Sequence, residues 1–284
     1  MKIFDLHNDF LTDIKEISLK SKYIDNNSFH TITMALWSSM LCKNMLDDHL
    51  HEAQFLLRNH TNLRFAVEDF GFADTRYFYI IKVLKPLYVG LCWNHDNLLA
   101  GGALDSGNLT KKGEDYIKKL NDANVAIDTA HLNRKSFSRV LEKSNKVLCS
   151  HTAFYTKLHH ERNLMDYQIK HIIDKGGIVG LCTVPEFLTG SNTADIKDYA
   201  SHIEYFLDKF GDKNLAIGTD FHGTNHLPTD LKTYTDFEKL KILLTKKGYS
   251  NQTIANIFYK NAERFYLNLT LSADWRRMSS LIAA

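Results

Sequence analysis

The chain has 284 residues, and its 44% hydrophobic and 24% charged residues are the ordinary balance of a soluble globular protein. The formal net charge is only +2 and the two signs are intermixed, so the sequence shows no basic stripe for a nucleic-acid backbone. No apolar run approaches the roughly 20 residues that cross a bilayer, and the first residues lack the pattern of a signal peptide. We therefore expect no nucleic-acid or membrane partner and a cytoplasmic location.

Short apolar, β-prone segments recur along the whole chain and are predicted to be strands. In chain order they are Lys2–Asp9, Thr31–Trp37, Leu63–Glu68, Leu87–Trp93, Val125–Thr129, Lys146–Ser150, Gly177–Thr183 and Leu215–Asp220. Strands that alternate with helices indicate a parallel sheet, and eight of them favour closure into a barrel. The predicted fold class is α/β, a single (β/α)8 TIM-like barrel.

Longer amphipathic segments lie between these strands and are predicted to be helices. They are Asp48–Asn59, Arg76–Leu84, Lys111–Asn121, Asn133–Lys143, Asp166–Asp174, Asp195–Phe210, Leu240–Lys246 and Gln252–Phe265. Asn133 and Asp195 are predicted N-caps, because their short side chains can accept hydrogen bonds from the first free amides of a helix. The barrel is expected to occupy residues 1–270, since this fold typically takes roughly 250 residues. Residues 271–284 fit no barrel element and are predicted to form a C-terminal tail.

Polar side chains that can bind metals stand where several predicted strands end, and in barrels of this kind the chemistry lies at those ends. His7 and Asp9 are two residues apart on the first strand, so both side chains can face the same ion. Imidazole and carboxylate groups suit zinc and similar divalent metals. Taken alone, this His-x-Asp pattern is also compatible with an ordinary strand end that carries two solvated polar groups.

Three further strands add donors of the same kinds. His131 and His151 follow the fifth and sixth strands, and neighbouring strands lie about 4.8 Å apart, close enough for two imidazoles to share a metal. Glu68 ends the third strand, and its two oxygens could bridge ions about 3.5–4 Å apart. Asp220 ends the eighth strand beside the first, where a carboxylate could orient or deprotonate an attacking water. The pattern predicts a centre of two divalent metal ions, with zinc expected.

Together these segments resemble the membrane dipeptidase (renal dipeptidase) family of zinc metallopeptidases. The segments that carry the resemblance are Asp5-Leu6-His7-Asn8-Asp9, Ala126-Ile127-Asp128-Thr129-Ala130-His131, Cys149-Ser150-His151, Glu161-Arg162-Asn163-Leu164, Gly176-Gly177-Ile178-Val179-Gly180 and Asp220-Phe221-His222-Gly223. The resemblance implies a distorted β/α barrel of the metal-dependent hydrolase type that holds two zinc ions. By this analogy His7 and Asp9 bind one ion, His131 and His151 bind the other, and Glu68 bridges them.

The resemblance also implies a reaction and a substrate class. Arg162 would hold the substrate carboxylate, a role suited to a planar and permanently charged guanidinium. Asp220 would hydrogen-bond the bridging water or hydroxide and pass its proton to the leaving amine, with Glu68 and Asp220 as the catalytic carboxylates. The implied activity is hydrolysis of dipeptides, with a D-residue tolerated on the carboxyl side, and the implied partners are a small peptide substrate and, in some assemblies, a second copy in a homodimer.

Three positions depart from the pattern of the family. Trp93 stands where well-studied members have a substrate-side histidine at the end of the fourth strand, and His95 follows it in the loop; both are predicted to bind substrate. His222 replaces the second aspartate of an Asp-Phe-Asp-Gly segment. Asp69 and Phe70 replace glycines after the bridging glutamate and would narrow the pocket. These departures bear on the identity of the substrate and leave every predicted metal ligand in place.

Two alternatives remain open at the level of sequence. One is an amidohydrolase that acts on another N-acyl amino acid or on a cyclic amide, for which the carboxylate anchor Arg162 would matter less. The other is a barrel that binds metals with little catalytic activity, which the departures at Trp93 and His222 favour.

Overall fold

The computed structural model describes residues 1–38, 43–72 and 75–270. Eight parallel strands close in chain order into a barrel. They are β1 (Phe4–Asn8), β2 (Thr31–Leu36), β3 (Leu63–Val67), β4 (Tyr88–Gly90), β5 (Ala126–Asp128), β6 (Val147–Thr152), β7 (Val179–Leu181) and β8 (Leu215–Ile217). The barrel closes where Asp5 of β1 pairs with Ile217 of β8. The predicted α/β barrel is therefore confirmed, and each strand lies within or close to its predicted segment.

Helices follow the strands on the outside of the barrel. The described α-helices are α1 (Phe10–Asp13), α2 (Ile17–Asn26), α3 (Lys43–Asn59), α4 (Tyr79–Val83), α5 (Lys111–Asp122), α6 (Arg134–Lys143), α7 (Asp166–Asp174), α8 (Pro185–Thr189), α9 (Ile196–Phe210), α10 (Phe237–Lys246) and α11 (Asn251–Ala255). Short 3₁₀ turns cover Thr75–Phe78 and Tyr234–Asp236. A π-helical segment, Asn256–Lys260, continues α11 and leads into helical residues 261–270.

The predicted N-caps are confirmed. Asn133 accepts a hydrogen bond from the amide of Ser136, and the Asp195 carboxylate accepts from the amides of Lys197 and Asp198. Such side chains satisfy donors that a helix leaves free in its first turn.

Helices α1, α2 and α8 were absent from the sequence prediction. Helix α2 escapes a pattern search because a lysine stands on its buried face: Lys20 is fully buried and reaches Glu52 of α3 at 2.5 Å. Helix α8 is a five-residue turn that begins with Pro185, a residue whose fixed backbone angle suits the first helical position. In α2 a tertiary contact therefore decides what local periodicity leaves open.

One apolar cluster fills the barrel at the amino-terminal ends of the strands. Phe4, Leu87 and Ile178 stand at or just before the first residues of their strands, and Phe265 and Leu269 from helical residues 261–270 join the same cluster. This arrangement leaves the opposite, carboxyl-terminal end of the barrel for polar side chains.

No helix among the described residues combines the length and the apolar character needed to cross a bilayer. The predicted tail, residues 271–284, lies outside the described residues.

Candidate metal centre

The predicted metal ligands meet at the carboxyl-terminal ends of the strands. Glu68, directly after β3, places Oε1 at 2.7 Å from His131 Nε2 and 3.8 Å from His151 Nε2. The same oxygen lies 3.9 Å from Nε2 of His7, and Asp9 Oδ2 lies 3.1 Å from that nitrogen. All five side chains are buried. The fold thus brings together residues that are up to 144 positions apart in the chain, as judged by His7 and His151.

Asp220, after β8, completes the group, with Oδ1 at 3.9 Å from His7 Nε2. Its backbone amide donates to the carbonyl of His7, and the amide of Asp9 donates to the carbonyl of Phe221, so the ends of β1 and β8 are tied directly to each other. Asp220 adopts a positive φ of 61°, a conformation that few non-glycine residues adopt and that is often found at functional sites.

Two of the histidines sit at irregularities in strand pairing. The register of β1 against β2 shifts between Asp5 and Asn8, and that of β6 against β7 shifts between Cys149 and Thr152. Bulges of this kind re-aim side chains and are common beside active sites. The sequence predicts His7 and Asp9 on one regular strand, Lys2–Asp9. In the structure Asp9 instead follows β1 as the first residue before α1, and it reaches His7 from that turn.

Three overlapping sets of side chains have donor atoms that all lie within 4.8 Å of one another. These sets are His7, Asp9 and Glu68; Glu68, His131 and His151; and His7, His151 and Asp220. Glu68 belongs to two of them. Asp9 Oδ1 is buried and has no hydrogen-bond partner among the described residues, which is costly for a carboxylate oxygen unless a cation binds it. Nitrogen and oxygen donors of this kind fit a divalent metal such as zinc.

The outer nitrogen of each histidine is held by a specific partner. His131 Nδ1 lies 2.9 Å from Asn94 Oδ1, an amide oxygen that can only accept, so Nδ1 carries the hydrogen. His151 Nδ1 lies 2.8 Å from Ser150 Oγ, whose hydroxyl donates to Asp128 Oδ2 at 2.5 Å. In both rings the lone pair is therefore on Nε2, the atom that faces Glu68.

His7 follows the same rule through a residue of β4. Its Nδ1 lies 2.7 Å from the hydroxyl of Tyr88, and that hydroxyl donates to the carbonyl of Leu6 at 3.0 Å. Because the tyrosine hydrogen is used on Leu6, the hydroxyl accepts from His7 Nδ1, and Nε2 again faces the cluster. Partners of this type orient metal-binding imidazoles and raise their basicity.

The cluster carries a surplus of negative charge. Burial, reinforced by the charge of Asp9, raises the pKa of Glu68 well above its usual value, and burial also raises the pKa of Asp220 to about 7. Burial alone would lower the pKa of His7, but the carboxylates of Asp9, Glu68 and Asp220 outweigh that effect and raise it to about 10. A divalent cation would neutralise this crowding of carboxylates.

Position 223 has no room for a side chain, because two carboxylates of the centre lie against it. A β-carbon at this position would lie 2.3 Å from both Asp220 Oδ1 and Asp9 Oδ2. Only glycine lets the chain after β8 pass so close to these oxygens.

Arg162 reaches the centre from the loop after β6. Its side chain is buried, with Nη2 at 2.9 Å from His151 Nε2 and 3.2 Å from His131 Nε2. The ring of Phe187 in α8 packs at 5.3 Å from the guanidinium carbon. Nη1 is buried and has no hydrogen-bond partner among the described residues. A fixed cation with an unpaired donor is suited to an anionic group of a ligand.

The sequence profile of one family, described as membrane dipeptidase (peptidase family M19), matches residues 72–274. The chain belongs to this family. The matched range contains His131, His151, Arg162 and Asp220, whereas His7, Asp9 and Glu68 precede it. Those three residues are assigned to the centre by their distances: Glu68 lies against His131, and Asp9 lies against His7.

Individual relatives agree with this assignment. An uncharacterized protein from the pqqA 5′ region of Klebsiella pneumoniae is 28% identical over 209 residues, which cover 69% of this chain and 76% of that protein. An uncharacterized dipeptidase of Schizosaccharomyces pombe is 27% identical over 216 residues, covering 72% of this chain but only 51% of its own length. The chain thus spans about half of this yeast relative.

Among solved structures, a metallopeptidase from Rhodobacter sphaeroides, bound to a phosphinate mimic of the dipeptide L-Ala-D-Ala, matches with a TM-score of 0.80. The match covers 94% of this chain and 98% of that chain at 17% sequence identity, so it shows a shared fold. The predicted family is confirmed, and with it the enzyme class of metallo-dipeptidases at the level of the family.

Besides Arg162, two other residues are predicted to bind substrate, Trp93 and His95, and the structure places them differently. The ring of Trp93 lies 6.1 Å from that of His131, beside the centre. His95 is not brought into the cluster: 62% of its side chain is exposed, and its Nδ1 pairs with Asp105 at 3.3 Å. His95 follows the short strand β4 at a distance of five residues, and the loop there turns toward solvent.

The residues that orient the imidazoles were not predicted from the sequence to have this role. They are Tyr88, Asn94, Asp128 and Ser150. A partial signal existed, since Asn94 follows Trp93 and Ser150 precedes His151. No local pattern marks Tyr88, because it reads as one more aromatic residue in a buried strand.

Proposed function

We propose that this chain is a metal-dependent dipeptidase that binds two zinc ions and hydrolyses dipeptides. The observation that carries the proposal is the position of Glu68 between two donor pairs. Its carboxylate lies within 3.9 Å of His7 Nε2, beside Asp9, and within 3.8 Å of both His131 Nε2 and His151 Nε2. A carboxylate placed in this way suits a bridging ligand of a two-metal site.

In this proposal His7 and Asp9 hold one ion, His131 and His151 hold the second, and Glu68 holds both. Bound zinc ions would supply a water of lowered pKa and an electrophile for the peptide carbonyl. Asn94, Ser150 and Tyr88 keep the three imidazoles in the tautomer that presents Nε2.

Arg162 is proposed to bind the terminal carboxylate of the substrate. Its unpaired Nη1 supports this role. A lone pair on Nε2 that binds a metal can no longer accept from Arg162, so Nη2 would also become available for the carboxylate. The ligand of the Rhodobacter sphaeroides protein is a phosphinate mimic of L-Ala-D-Ala, a dipeptide with a D-residue at its carboxyl end. By analogy we propose that a D-residue is accepted on the carboxyl side here too.

Asp220 is proposed to take the proton of the attacking water and deliver it to the leaving amine. A carboxylate within reach of the attacking water can accept its proton and donate it to the leaving amine. Its Oδ1 faces His7 at the centre, where the water would be held.

The first experiment measures metal content per chain by inductively coupled plasma mass spectrometry after reloading with zinc. About two equivalents are expected, falling when His131 or His151 is changed to alanine. Protein that retains no metal would refute the proposed centre.

Asp220→Asn is expected to keep both metals and lose turnover of dipeptides by about 10²–10⁴-fold, the usual contribution of general acid–base catalysis. The substrate panel should include dipeptides with L- and D-residues at the carboxyl end and N-acetyl amino acids. Faster hydrolysis of the N-acetyl compounds, together with an unchanged KM for dipeptides in Arg162→Ala, would replace dipeptides with another amide as the substrate class.

A further inference from the structure

Asp220 has a backbone conformation that its neighbours must enforce. Its φ of 61° lies in the left-handed region, where residues other than glycine are uncommon. A residue keeps such a conformation when the surrounding structure fixes the peptide units on both sides of it. The two units that flank Asp220 join Thr219 to Asp220 and Asp220 to Phe221. The bonds made by these units therefore decide where the Asp220 carboxylate points.

The peptide unit before Asp220 is held from both of its sides. The amide of Asp220 donates to the carbonyl of His7 at 3.1 Å. The carbonyl of Thr219 accepts from the amide of Thr183 at 3.0 Å and from the hydroxyl of the same residue at 2.7 Å. These partners belong to β1 and to the residues just after β7, so the two strands that flank β8 fix this unit.

The peptide unit after Asp220 depends on the side chain of Thr219. The amide of Phe221 donates to Thr219 Oγ1 at 3.1 Å. On the other side of this unit, the carbonyl of Asp220 accepts from the amide of Gly223 at 3.1 Å. Both bonds are local to the loop after β8, so the Thr219 side chain must itself be held if the unit is to stay in place.

Asp5, a fully buried residue of β1, holds Thr219. Asp5 Oδ1 accepts from the Thr219 amide at 2.8 Å, and Asp5 Oδ2 accepts from the Thr219 hydroxyl at 2.6 Å. The hydroxyl has a single hydrogen, and the other acceptor near it, the carbonyl of His7, is farther away at 3.3 Å. The hydrogen therefore goes to Asp5, and the oxygen lone pairs remain for the Phe221 amide.

Four donors surround the Asp5 carboxylate. Besides the two from Thr219, they are the amide of His7 at 3.2 Å and the hydroxyl of Tyr234 at 2.6 Å. Bonds from donors favour the ionised form, in which a carboxylate can only accept. The hydrogen bonds thus run in one direction, from the Phe221 amide through Thr219 to Asp5, and they connect the turn at Asp220 to the buried part of β1.

We propose that Thr219 is a positioning residue that acts through Asp220 and that Asp5 holds it in place. The proposal rests on the proposed function, in which Asp220 moves the proton of the attacking water. The Thr219 hydroxyl bonds to no side chain that is proposed to bind a metal or the substrate. Its loss should move the Asp220 carboxylate and leave the metals and Arg162 in place.

Thr219→Val tests this role, because valine keeps the shape of threonine and removes the hydroxyl. The variant should retain two zinc equivalents and hydrolyse Ala-Ala with kcat lowered by about 10–100-fold and KM nearly unchanged, since a shift of about 1 Å can cost about 10²-fold in rate. Thr219→Ser, which restores the hydroxyl, should recover most of the natural kcat.

Thr129→Val is the matched control. Thr129 is also buried, and its hydroxyl donates to the carbonyl of Leu148 in β6 at 2.9 Å, on a different part of the barrel from Asp220. This variant loses a buried hydroxyl bond of the same kind and should keep the natural kcat. An equal loss of kcat in the two valine variants would overturn the positioning role.

Two further readouts separate positioning from a general loss of structure. In the Asp220→Asn background, Thr219→Val should lower kcat little further, because both changes remove the same function, whereas losses that multiply would show that Thr219 acts without Asp220. Amide hydrogen exchange at Phe221, followed by NMR, should be about tenfold faster or more in Thr219→Val, because the amide loses its acceptor. Unchanged exchange would show that the hydroxyl does not hold the turn.

The outcomes also separate this proposal from the proposed function. If Thr219→Val does not fold, as judged by circular dichroism, Thr219→Ala replaces it with the same expectations, since alanine puts no methyl group against Asp5. If the natural protein hydrolyses Ala-Ala and the variant matches its kcat, the positioning role is wrong and the dipeptidase proposal stands. If the zinc-loaded natural protein hydrolyses no dipeptide, the dipeptidase proposal fails, and exchange at Phe221 still decides whether Thr219 holds the turn.

Discussion

Replacing Tyr88 with phenylalanine removes one oxygen atom from the surroundings of the metal centre. Tyr88 is fully buried, and its hydroxyl accepts from His7 Nδ1 at 2.7 Å while donating to the Leu6 carbonyl at 3.0 Å. The other group near His7 Nδ1, Ser150 Oγ, is 3.5 Å away and already donates to Asp128. In Tyr88→Phe, His7 therefore loses the contact that sets its tautomer and orientation.

Two effects of different kinds are expected. Losing the partner of a metal-binding imidazole typically costs 10–100-fold in metal affinity, and we expect a loss of about that size at the site that contains His7. Leaving a buried donor or acceptor unpaired costs about 1–3 kcal/mol in the free energy of unfolding of the metal-free protein. The structure predicts the first effect only where the lost hydroxyl contacts a ligand.

The matched control is Tyr199→Phe. Tyr199 is also fully buried, and its hydroxyl donates to the Leu181 carbonyl at 2.9 Å, away from the metal ligands. Zinc affinity is measured by competition with a coloured chelator, and stability by urea unfolding without metal. Both variants should be less stable, but only Tyr88→Phe should bind zinc more weakly. Equal zinc affinity in the two variants would refute the proposed role of the tyrosine.

Two further predictions test the neighbourhood of the centre and the fold around it. Gly223→Ala should lose about one equivalent of metal while keeping its circular dichroism spectrum, because the new methyl group would overlap the Asp9 and Asp220 oxygens. If the variant retained two equivalents, the loop after β8 would have moved to make room for the methyl group and the prediction would be wrong. Burial lowers the pKa of His202 to about 4, below an unfolded value of about 6.5, so its stabilising effect is complete above pH 6.5 and is lost as the pH falls toward 4. Urea unfolding of metal-free protein at pH 7 and pH 5 should show a smaller pH dependence in His202→Gln than in the natural sequence, by at most about 2 kcal/mol, because only about 1.5 pH units below 6.5 are covered; equal dependence would contradict the lowered pKa.

The barrel and the metal-binding residue types at the carboxyl ends of its strands can be predicted from the sequence alone. Short apolar, β-prone segments and the amphipathic segments between them are local properties, and they mark β1 to β8 without knowledge of the fold. Once the strands are parallel and closed, their carboxyl ends must meet, so His7, Glu68, His131, His151 and Asp220 could be expected near one another from their places in the chain.

The orientation of these side chains and the contacts that hold them arise only in the folded barrel. The register shifts in β1 and β6 turn His7 and His151 toward Glu68, and the turn after β1 brings Asp9 back to His7. The bond between Tyr88 and His7 joins residues 81 positions apart, and the bond between Thr219 and Asp5 joins residues 214 positions apart. Such contacts depend on the register and closure of the whole sheet, which no local pattern encodes. In the same way, the pairing of Lys20 with Glu52 of α3 holds a lysine on the buried face of α2.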